Sequence, residues 1–445
     1  MNNTKSISAF LDDDYKEYAQ YVVSNRAIPS VIDGFKPTQR KIIDIASRTW
    51  KTGNEKPMKV AALTGLLMTH HYNHGDSSGS SAIITLAQKF KNSMPLLDEI
   101  GQFGSLRSPE AGAGRYISTK LNKNFRSLYK DFELVEKQYN EGDEIEPKYF
   151  LPIIPTVLLN GSSGIAVGFA TNILNRNPKD LIDCCIKFLN DKSFREPKPW
   201  VNEFAGEWIQ DPENSLSWTA KGLLTIENTT TVKINELPPG ITYDKFEKLL
   251  NSLEEGGWIV SYDDNCKSNI DYTIRFNRKM LKEKTHRLDN WFKINERQTE
   301  NLTMLDESGE LIVFDNVTQV IEYFVNFRLK YYIQRKKFLI DKYNDRLQYL
   351  SNRARFIKMI IDGKLKVNNV AKLKIEEQLI KHAFDKREGS FSYLLSMPIH
   401  TLTKEKYQEL LNDVKELKAN IAAIKKKQPK EMYLEDLSEL KKTLK

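Results

Sequence analysis

The sequence predicts a multidomain α+β chain: a helical N-terminal part, a mixed α/β middle, and a long antiparallel pair of helices closed by a compact helical tip. Three observations predict it. Short amphipathic stretches separated by Gly- and Ser-rich turns fill the first third, β-branched apolar runs broken by Gly and Pro follow, and heptad-spaced apolar residues dominate after Val317. At 445 residues the chain has room for about three domains.

Residues 15–23 read as a helix that ends before Pro29, and Asp33-Gly34 marks a turn. From Pro37 onward Ile42, Ile43 and Ala46 share one helical face, which places Arg40 and Lys41 near the helix start on the exposed side. Two more helices are expected, one from Val60 to Thr69 and one capped by Asp76, with Ser77 and Ser78 as alternatives, and running to Phe90. Three short helices with a basic surface suit a helix-turn-helix type of DNA-binding domain. Residues 149–168 read as buried strands with tight turns, and further strands are expected at 223–226, 231–234 and 272–276, with a helix at 243–253. Farther on, Val320, Phe324, Phe327 and Tyr331 recur at 4-3-4 spacing, followed by Leu347, Leu350, Ala354, Ile357 and Ile361. Tyr407, Leu410, Val414, Leu417, Ile421 and Ile424 repeat the pattern near the C-terminus. These seams predict an antiparallel coiled coil or two helices of an ordinary bundle, interrupted at Asp362-Gly363 by shorter helices over 368–399.

Composition narrows the class. Apolar residues at 40% and charged residues at 28% describe a folded chain. Cys184, Cys185 and Cys266 are too few and too badly spaced for a disulfide framework or a zinc site, and they fit a reducing compartment. No apolar run approaches the roughly 18 residues of a membrane span, and the first ten residues lack the shape of a signal peptide. The net charge of +8 is segregated: 18 basic against 11 acidic side chains over 1–130, 21 against 32 over 131–320, and 28 against 16 over 321–445. Residues 21–130 alone hold 16 bases and seven acids. Such a block is either a polyanion-binding surface, for which nucleic acid is the leading partner, or simply solvated.

Candidate chemistry gathers in three places. A nucleophilic tyrosine, whose phenol ordinarily titrates near 10, needs adjacent positive charge and a group that stabilises the developing phosphorane. Gly114-Arg115-Tyr116 supplies a tyrosine beside a cation in a loop rich in glycine (Gly101, Gly104, Gly112, Gly114), although a packing role for Tyr116 stays open. The run from His70 to Asp76 holds three of the six histidines; metal ligation, a phosphate contact by His74 and a structural role are its alternatives. Arg26, Lys36, Arg40 and Lys41 surround a turn and a helix start, where they either clamp a phosphodiester backbone or are solvated.

In chain order, Arg26-Ala27-Ile28-Pro29, Asp33-Gly34-Phe35-Lys36-Pro37-Thr38-Gln39-Arg40, His74-Gly75-Asp76, Phe103-Gly104-Ser105, Arg115-Tyr116, Leu159 to Gly168 and Ala170-Thr171-Asn172-Ile173 form a specific set. Together they resemble the breakage-and-rejoining subunit of type IIA DNA topoisomerases, the gyrase A kind, and the resemblance covers nearly the whole chain. It implies an N-terminal arm (1–20), a winged-helix DNA-cleavage domain (21–148), an α/β tower (149–314), a coiled-coil arm (315–361 and 400–445) and a helical dimerisation gate (362–399). It also implies that Tyr116 forms a 5′-phosphotyrosyl link, that Arg115, Arg26 and His74 stabilise the scissile phosphate, and that Lys36, Arg40 and Lys41 grip the backbone. Ile173 would be the wedge inserted between base steps, though without the motif an ordinary packing role is the preferred reading. The run His71-Tyr72-Asn73-His74 departs from the family's Tyr-His-Pro-His, so only His74 carries over. No Walker-type loop and no Asp-x-Asp cluster of the kind that holds catalytic Mg²⁺ is found, so this chain is assigned no metal ligand. The resemblance places Mg²⁺ and ATP on partner subunits of TOPRIM and ATPase type. Double-stranded DNA as substrate, a homodimer joined at the coiled-coil tip, no membrane association and a cytoplasmic location complete the expectation.

Overall fold

The computed structural model describes residues 14–70, 72, 74–267 and 269–444. Residues 1–13 of the expected N-terminal arm lie outside the described residues, as do His71 and Asn73 of the histidine run. The chain forms two compact units, one holding the chain up to Arg328 together with Leu434 onward, the other Leu329–Tyr433.

The first unit opens with α1 (Lys16–Val22), which a π turn extends over Val23–Ala27. Then comes a buried turn through Ile28, Val31 and Ile32. Gly34 closes it at φ +72°, where a Cβ would stand 2.7 Å from the Val157 nitrogen, so only glycine fits. Asp33 is the hub of this turn. Its buried carboxylate accepts from the amides of Phe35 and Phe150, each at 3.1 Å, and pairs in bidentate fashion with Arg40 at 2.7 and 2.9 Å. The Asp33 carbonyl accepts from Thr156 Oγ1 at 2.7 Å and from the Tyr129 hydroxyl at 3.2 Å. The rings of Phe35, Phe125, Tyr129 and Phe150 pack around it.

From this turn springs α2 (Pro37–Thr49), with Pro37 at the first position, where a missing N–H costs nothing. β1 (Met58–Lys59) leads into α3 (Val60–Met68), and α4 (Asp76–Ala87) packs beside α3. The three expected helices therefore form, with two adjustments. Gly75, not Asp76, is the N-cap of α4, and the Asp76 carboxylate instead accepts from the Ser77 amide. The helix also stops at Ala87, short of Phe90. β1 pairs antiparallel with β2 (Ser118–Thr119), and α5 (Lys123–Leu128) and a hairpin of β3 (Tyr139–Asn140) and β4 (Asp143–Glu144) follow.

The expectation of strands throughout 149–168 is overturned for most of its length: residues 149–155 form no strand beyond an isolated bridge at Pro152. Thr156–Asn160 is a helix, α6, and only β5 (Ser162–Ile165) and β6 (Ala170–Ile173) are strands, paired as a hairpin. A short, wholly apolar run carries no periodicity to separate the two states. Here the amides of Leu158 and Leu159 both return to the Pro155 carbonyl and start a helical turn. After α7 (Pro178–Leu189), β7 (Glu207–Gln210) and β8 (Ser217–Lys221) form a three-stranded antiparallel sheet with β13 (Asn295–Thr299), in the order β13-β8-β7. A second, four-stranded sheet orders β11 (Ser261–Asp264), β12 (Tyr272–Arg275), β10 (Thr231–Glu236) and β9 (Leu223–Ile226). Its core of Val232, Ile234, Tyr272 and Ile274 packs on Phe246 and Leu250 of α8 (Tyr243–Glu255). Two short helices, α9 (Arg278–Lys284) and α10 (Leu288–Trp291), precede β13, and β14 (Leu302–Leu305) and β15 (Leu311–Phe314) form a final hairpin.

α11 runs unbroken from Val317 to Ile361, and its Val320, Phe324 and Phe327 are buried in the first unit. Within the second unit Leu350, Ala354 and Ile357 of α11 share a core with Leu379 of α12 (Lys372–Lys381), Leu394 of α13 (Ser392–Leu395) and Leu410 of α14 (Lys404–Lys426). The expected second long helix is not continuous. It stops at Lys427, which is extended (ψ 137°), and a separate α15 begins at Pro429 and ends at Thr443. The break falls where Lys427 leaves the helical region, and Pro429 then takes the first position of α15, where its missing N–H costs nothing. The Lys336 ammonium caps the α14 terminus by donating to the carbonyls of Lys425 (2.9 Å) and Lys427 (2.6 Å).

Candidate active site

Tyr116 sits on a tight turn, its amide donating to the Ala113 carbonyl at 2.8 Å. The turn is seated on the start of α3. The amides of Val60 and Ala61, which no helical carbonyl can satisfy, donate to Ile117 and Gly114 carbonyls, each at 3.1 Å. Lys59, just ahead of that helix, donates through Nζ to the Tyr116 carbonyl at 2.9 Å. The Tyr116 side chain itself is 70% exposed, and the exposed Arg115 guanidinium lies 4.9 Å from its ring centroid. A solvent-facing phenol beside the Arg115 guanidinium, on a turn whose carbonyl is held by Lys59, can meet an anionic phosphate.

The loop that delivers this turn is clamped at both ends. Gln88, at the end of α4, donates to the Phe103 carbonyl at 2.7 Å. Arg107 is buried; it pairs with Glu236 at 2.5 Å and donates to the carbonyls of Pro238 (2.8 Å), Ile241 (3.0 Å) and Leu237. Sequence reasoning missed both anchors and Lys59, because each acts through partners from distant parts of the chain. At the other approach to α4, the exposed His74 lies edge-on to the buried Tyr72 ring, centroids 5.3 Å apart, immediately before the helix N-terminus.

A second group assembles around the β5–β6 hairpin. Arg26 is exposed at the end of the π turn. Lys36 Nζ donates to the Ser163 carbonyl at 2.6 Å, and burial lowers its pKa. A Cβ on Gly164 would lie 2.2 Å from the Ala27 carbonyl oxygen, so a glycine is required for the hairpin to lie against the Arg26–Ala27 turn.

Three of the predicted DNA-contacting residues sit differently from expectation. Arg40 is buried and bound to Asp33, because the turn at 33–35 folds back over the start of α2, rather than exposed at the helix start as expected. Lys41 is largely covered and paired with Glu146 at 2.7 Å. Ile173 is 3% exposed and forms part of the wall of a cavity of about 530 Å³ that Lys36, Lys91, Asn160 and Asn175 also line. A buried residue cannot serve as a wedge without unpacking. On the same hairpin Ile165, at the opposite end of the ladder, is 88% exposed with Phe169 half-exposed across the tip. The signal for it lay in the pairing register, which only the folded hairpin reveals.

Among the described residues no group of three or more His, Cys, Asp or Glu side chains is placed to hold a metal ion, and no helix is long and apolar enough to cross a membrane.

A family model for the A subunits of DNA gyrase and topoisomerase IV matches residues 26–441. The chain is 32% identical to the DNA topoisomerase medium subunit of Enterobacteria phage T4, over 99% of each chain. It is 33% identical to DNA topoisomerase 2 of Arabidopsis thaliana, covering 94% of this chain and 32% of that relative. The α+β architecture is similar to the crystal structure of the Plasmodium falciparum topoisomerase II DNA-binding, cleavage and re-ligation domain, with TM-score 0.87, 30% identity, and coverage of 98% of this chain and 64% of that one. With a match of this extent to its family model, the chain belongs to the family of DNA gyrase and topoisomerase IV A subunits.

Proposed function

We propose that this chain is the DNA-cleaving and rejoining subunit of an ATP-dependent type II DNA topoisomerase. The observation that carries the reading is the exposed Tyr116 phenol on a turn held between Lys59 and Arg115. Tyr116 Oη, having given up its proton, attacks a backbone phosphorus. The Oη–P bond forms as the P–O3′ bond breaks, and the 3′ oxygen takes up a proton. The 5′ end remains on Tyr116 as a phosphotyrosyl ester, and attack by the 3′ hydroxyl reverses the step, restoring the duplex and the free phenol. Arg115 and Lys59 offset the charge that builds on the phosphate, with Arg26 and His74 as further contacts. Lys36 holds the backbone beside the hairpin, and Arg40 and Ile173 are left with structural roles.

Ile165 takes the place first given to Ile173: an exposed apolar side chain at a hairpin tip that enters a base step, where the cost of unstacking is offset by the contacts of a bent duplex. Ile165→Ala is expected to lower DNA bending, read by energy transfer between end-labelled duplex termini, and to cut cleavage about tenfold. Ile173→Ala is expected to leave bending intact and to cost about 2–4 kcal/mol of stability. The reverse pattern would return the wedge to Ile173.

The domain reading goes with this function: an arm (1–20), a winged-helix cleavage domain (21–148), a tower (149–314), a coiled-coil arm (315–361 and 400–445) and a dimerisation gate (362–399). The shared core of α11 and α14 supports the arm. Two copies joined at the tip would each cut one strand while a second duplex passes. Mg²⁺, which supplies positive charge at the cleaved phosphate, and ATP are assigned to TOPRIM- and ATPase-type partner subunits, and the complex to the cytoplasm, that of the bacterial host if the chain is phage-encoded.

The test mixes the purified chain with candidate partner subunits, supercoiled plasmid and Mg²⁺, with and without ATP, and maps which DNA end carries protein. ATP-dependent relaxation and a protein-linked 5′ end are expected. A 3′ link would instead indicate a tyrosine recombinase. Tight, salt-sensitive binding with no cleavage under any partner condition would leave an architectural DNA-binding dimer.

A further inference from the structure

Arg107 is a buried cation that the cleavage chemistry does not use. It stands on an excursion of the loop that leads to Tyr116. The Gly112 amide donates to the Gln102 carbonyl at 2.9 Å and closes the neck of that excursion. Behind the neck, Ile100 and Ser118 exchange amide-to-carbonyl bonds at 3.1 and 2.9 Å. Inside it, the Gln88 carboxamide gathers the carbonyls of Phe103 (2.7 Å) and Pro109 (3.3 Å). A segment held by so many of its own bonds shifts as a piece, and its neck leads straight into the turn from Ala113 to Tyr116.

What Arg107 grips is the connection between β10 and α8. Its guanidinium serves the Glu236 carboxylate and three main-chain carbonyls, and its own carbonyl accepts from the Tyr243 amide at 3.0 Å. Glu236 is buried too, and the amides of Ala205 and Leu237 fix its carboxylate, each at 2.9 Å. Five N–H donors in a rigid fork suit arginine to this seat, whereas a lysine brings one ammonium on a flexible stem. The same connection bears on a surface fit for a polyanion. Gly240, Thr242 and Lys245 line the cavity of about 530 Å³ together with Lys36 and Lys91, and among the described residues that line it there is no Asp or Glu. Lys245, Lys248 and Lys293 line a neighbouring cavity of about 460 Å³. Cations thus collect at this end of a region whose net charge is negative.

We propose that Arg107 is a positioning residue for the cleavage step: through it the placement of Tyr116 follows the four-stranded sheet, and so follows the bend of the duplex; the inference rests on the function proposed above. A duplex that meets Lys36 alone leaves the sheet where it is. One that bends onto Lys245 engages the connection that Arg107 holds, and the excursion carries that change to the Tyr116 turn. Small displacements of a nucleophile have large effects on rate, so Tyr116 attacks well only on a bent duplex.

The test uses the complete enzyme with partner subunits and two end-labelled duplexes, one continuous and one with a small bulge beside the cleavage site that bends easily. R107Q/E236Q removes the pair without stranding either charge, R107K keeps the cation without the fork, and Q88L loosens the same excursion from its other side. Cleavage rates at saturating duplex are read alongside duplex affinity and thermal unfolding. The parent is expected to cleave the bulged duplex about fivefold faster than the continuous one. R107Q/E236Q should cleave the continuous duplex about tenfold more slowly than the parent and lose the preference for the bulge, with affinity and unfolding close to the parent's. R107K should show the same loss of preference in weaker form, and Q88L should slow both duplexes by one factor and keep the preference. A preference that survives in R107Q/E236Q, or is absent from the parent, would overturn the coupling. So would a fall in affinity that matches the fall in rate. Hydrogen exchange of the amides from Gly104 to Ile117 needs no cleavage: the bulged duplex should slow it in the parent chain and not in R107Q/E236Q. A parent enzyme that cleaves neither duplex would count against the proposed function, while the exchange would still judge the coupling.

Discussion

Tyr116→Phe is expected to lower the detergent-trapped covalent DNA adduct of the reconstituted enzyme by roughly 10⁴-fold or more, the scale of loss when a covalent nucleophile is deleted. The substitution removes one oxygen and leaves the ring beside Arg115, and the turn is held by main-chain bonds from Val60, Ala61 and Ala113 together with Lys59, none of which uses the phenol. Folding and duplex affinity should therefore change little, affinity by no more than about twofold. The measurement is adduct formed on an end-labelled duplex, with binding of the same duplex recorded in parallel. An undiminished adduct would remove Tyr116 from the chemistry. A parallel collapse of binding would instead mean that the phenol holds DNA.

Asp33→Ala is expected to cost about 3–5 kcal/mol of stability, because it strands a buried guanidinium without its counter-ion. Arg40 has its carboxylate partner at 2.7 Å, and the amides of Phe35 and Phe150 lose their acceptor at the same time. Chemical denaturation followed by tryptophan fluorescence measures it, since Trp50 is buried at the end of α2. The double variant Asp33→Leu/Arg40→Met should recover much of the loss, as replacing a whole buried pair by apolar groups often does. A loss below about 1 kcal/mol for Asp33→Ala would show that the pair is not needed. The same variants separate structure from DNA contact at Arg40: if the folded double variant binds duplex as the parent does, Arg40 has no part in gripping the backbone.

Much of the architecture was legible where a local rule operates alone. Ile42, Ile43 and Ala46 set the buried face of α2, and Pro37 marked its start. Strands 223–226, 231–234 and 272–276 announced themselves by alternation or β-branching, and Asp362-Gly363 ended the long helix. Illegible elements depend on partners far away in sequence. β13 reads Asn-Glu-Arg-Gln-Thr, with one β-branched residue, and is a strand because β8 supplies its ladder. The candidate site divides the same way. Tyr116, Arg115, Arg26 and His74 were found through motif order and are exposed, whereas Arg40, placed on the exposed side by helical spacing, and Ile173, given by the resemblance, are buried. Neither local spacing nor motif order can register that the Asp33 turn folds over one and that the hairpin turns the other inward.

The Arg107 clamp has a mechanical consequence. Its guanidinium ties the segment that leads to Tyr116 to the strand end at Glu236 and to the carbonyls of Leu237, Pro238 and Ile241, while the Tyr243 amide returns a bond to the Arg107 carbonyl. A severed DNA end attached at Tyr116 would hang from a braced cantilever, not a slack tether. Tension in that strand would be borne by the four-stranded sheet and α8 as one body, and the break could be carried apart and brought back in register without the loop paying out.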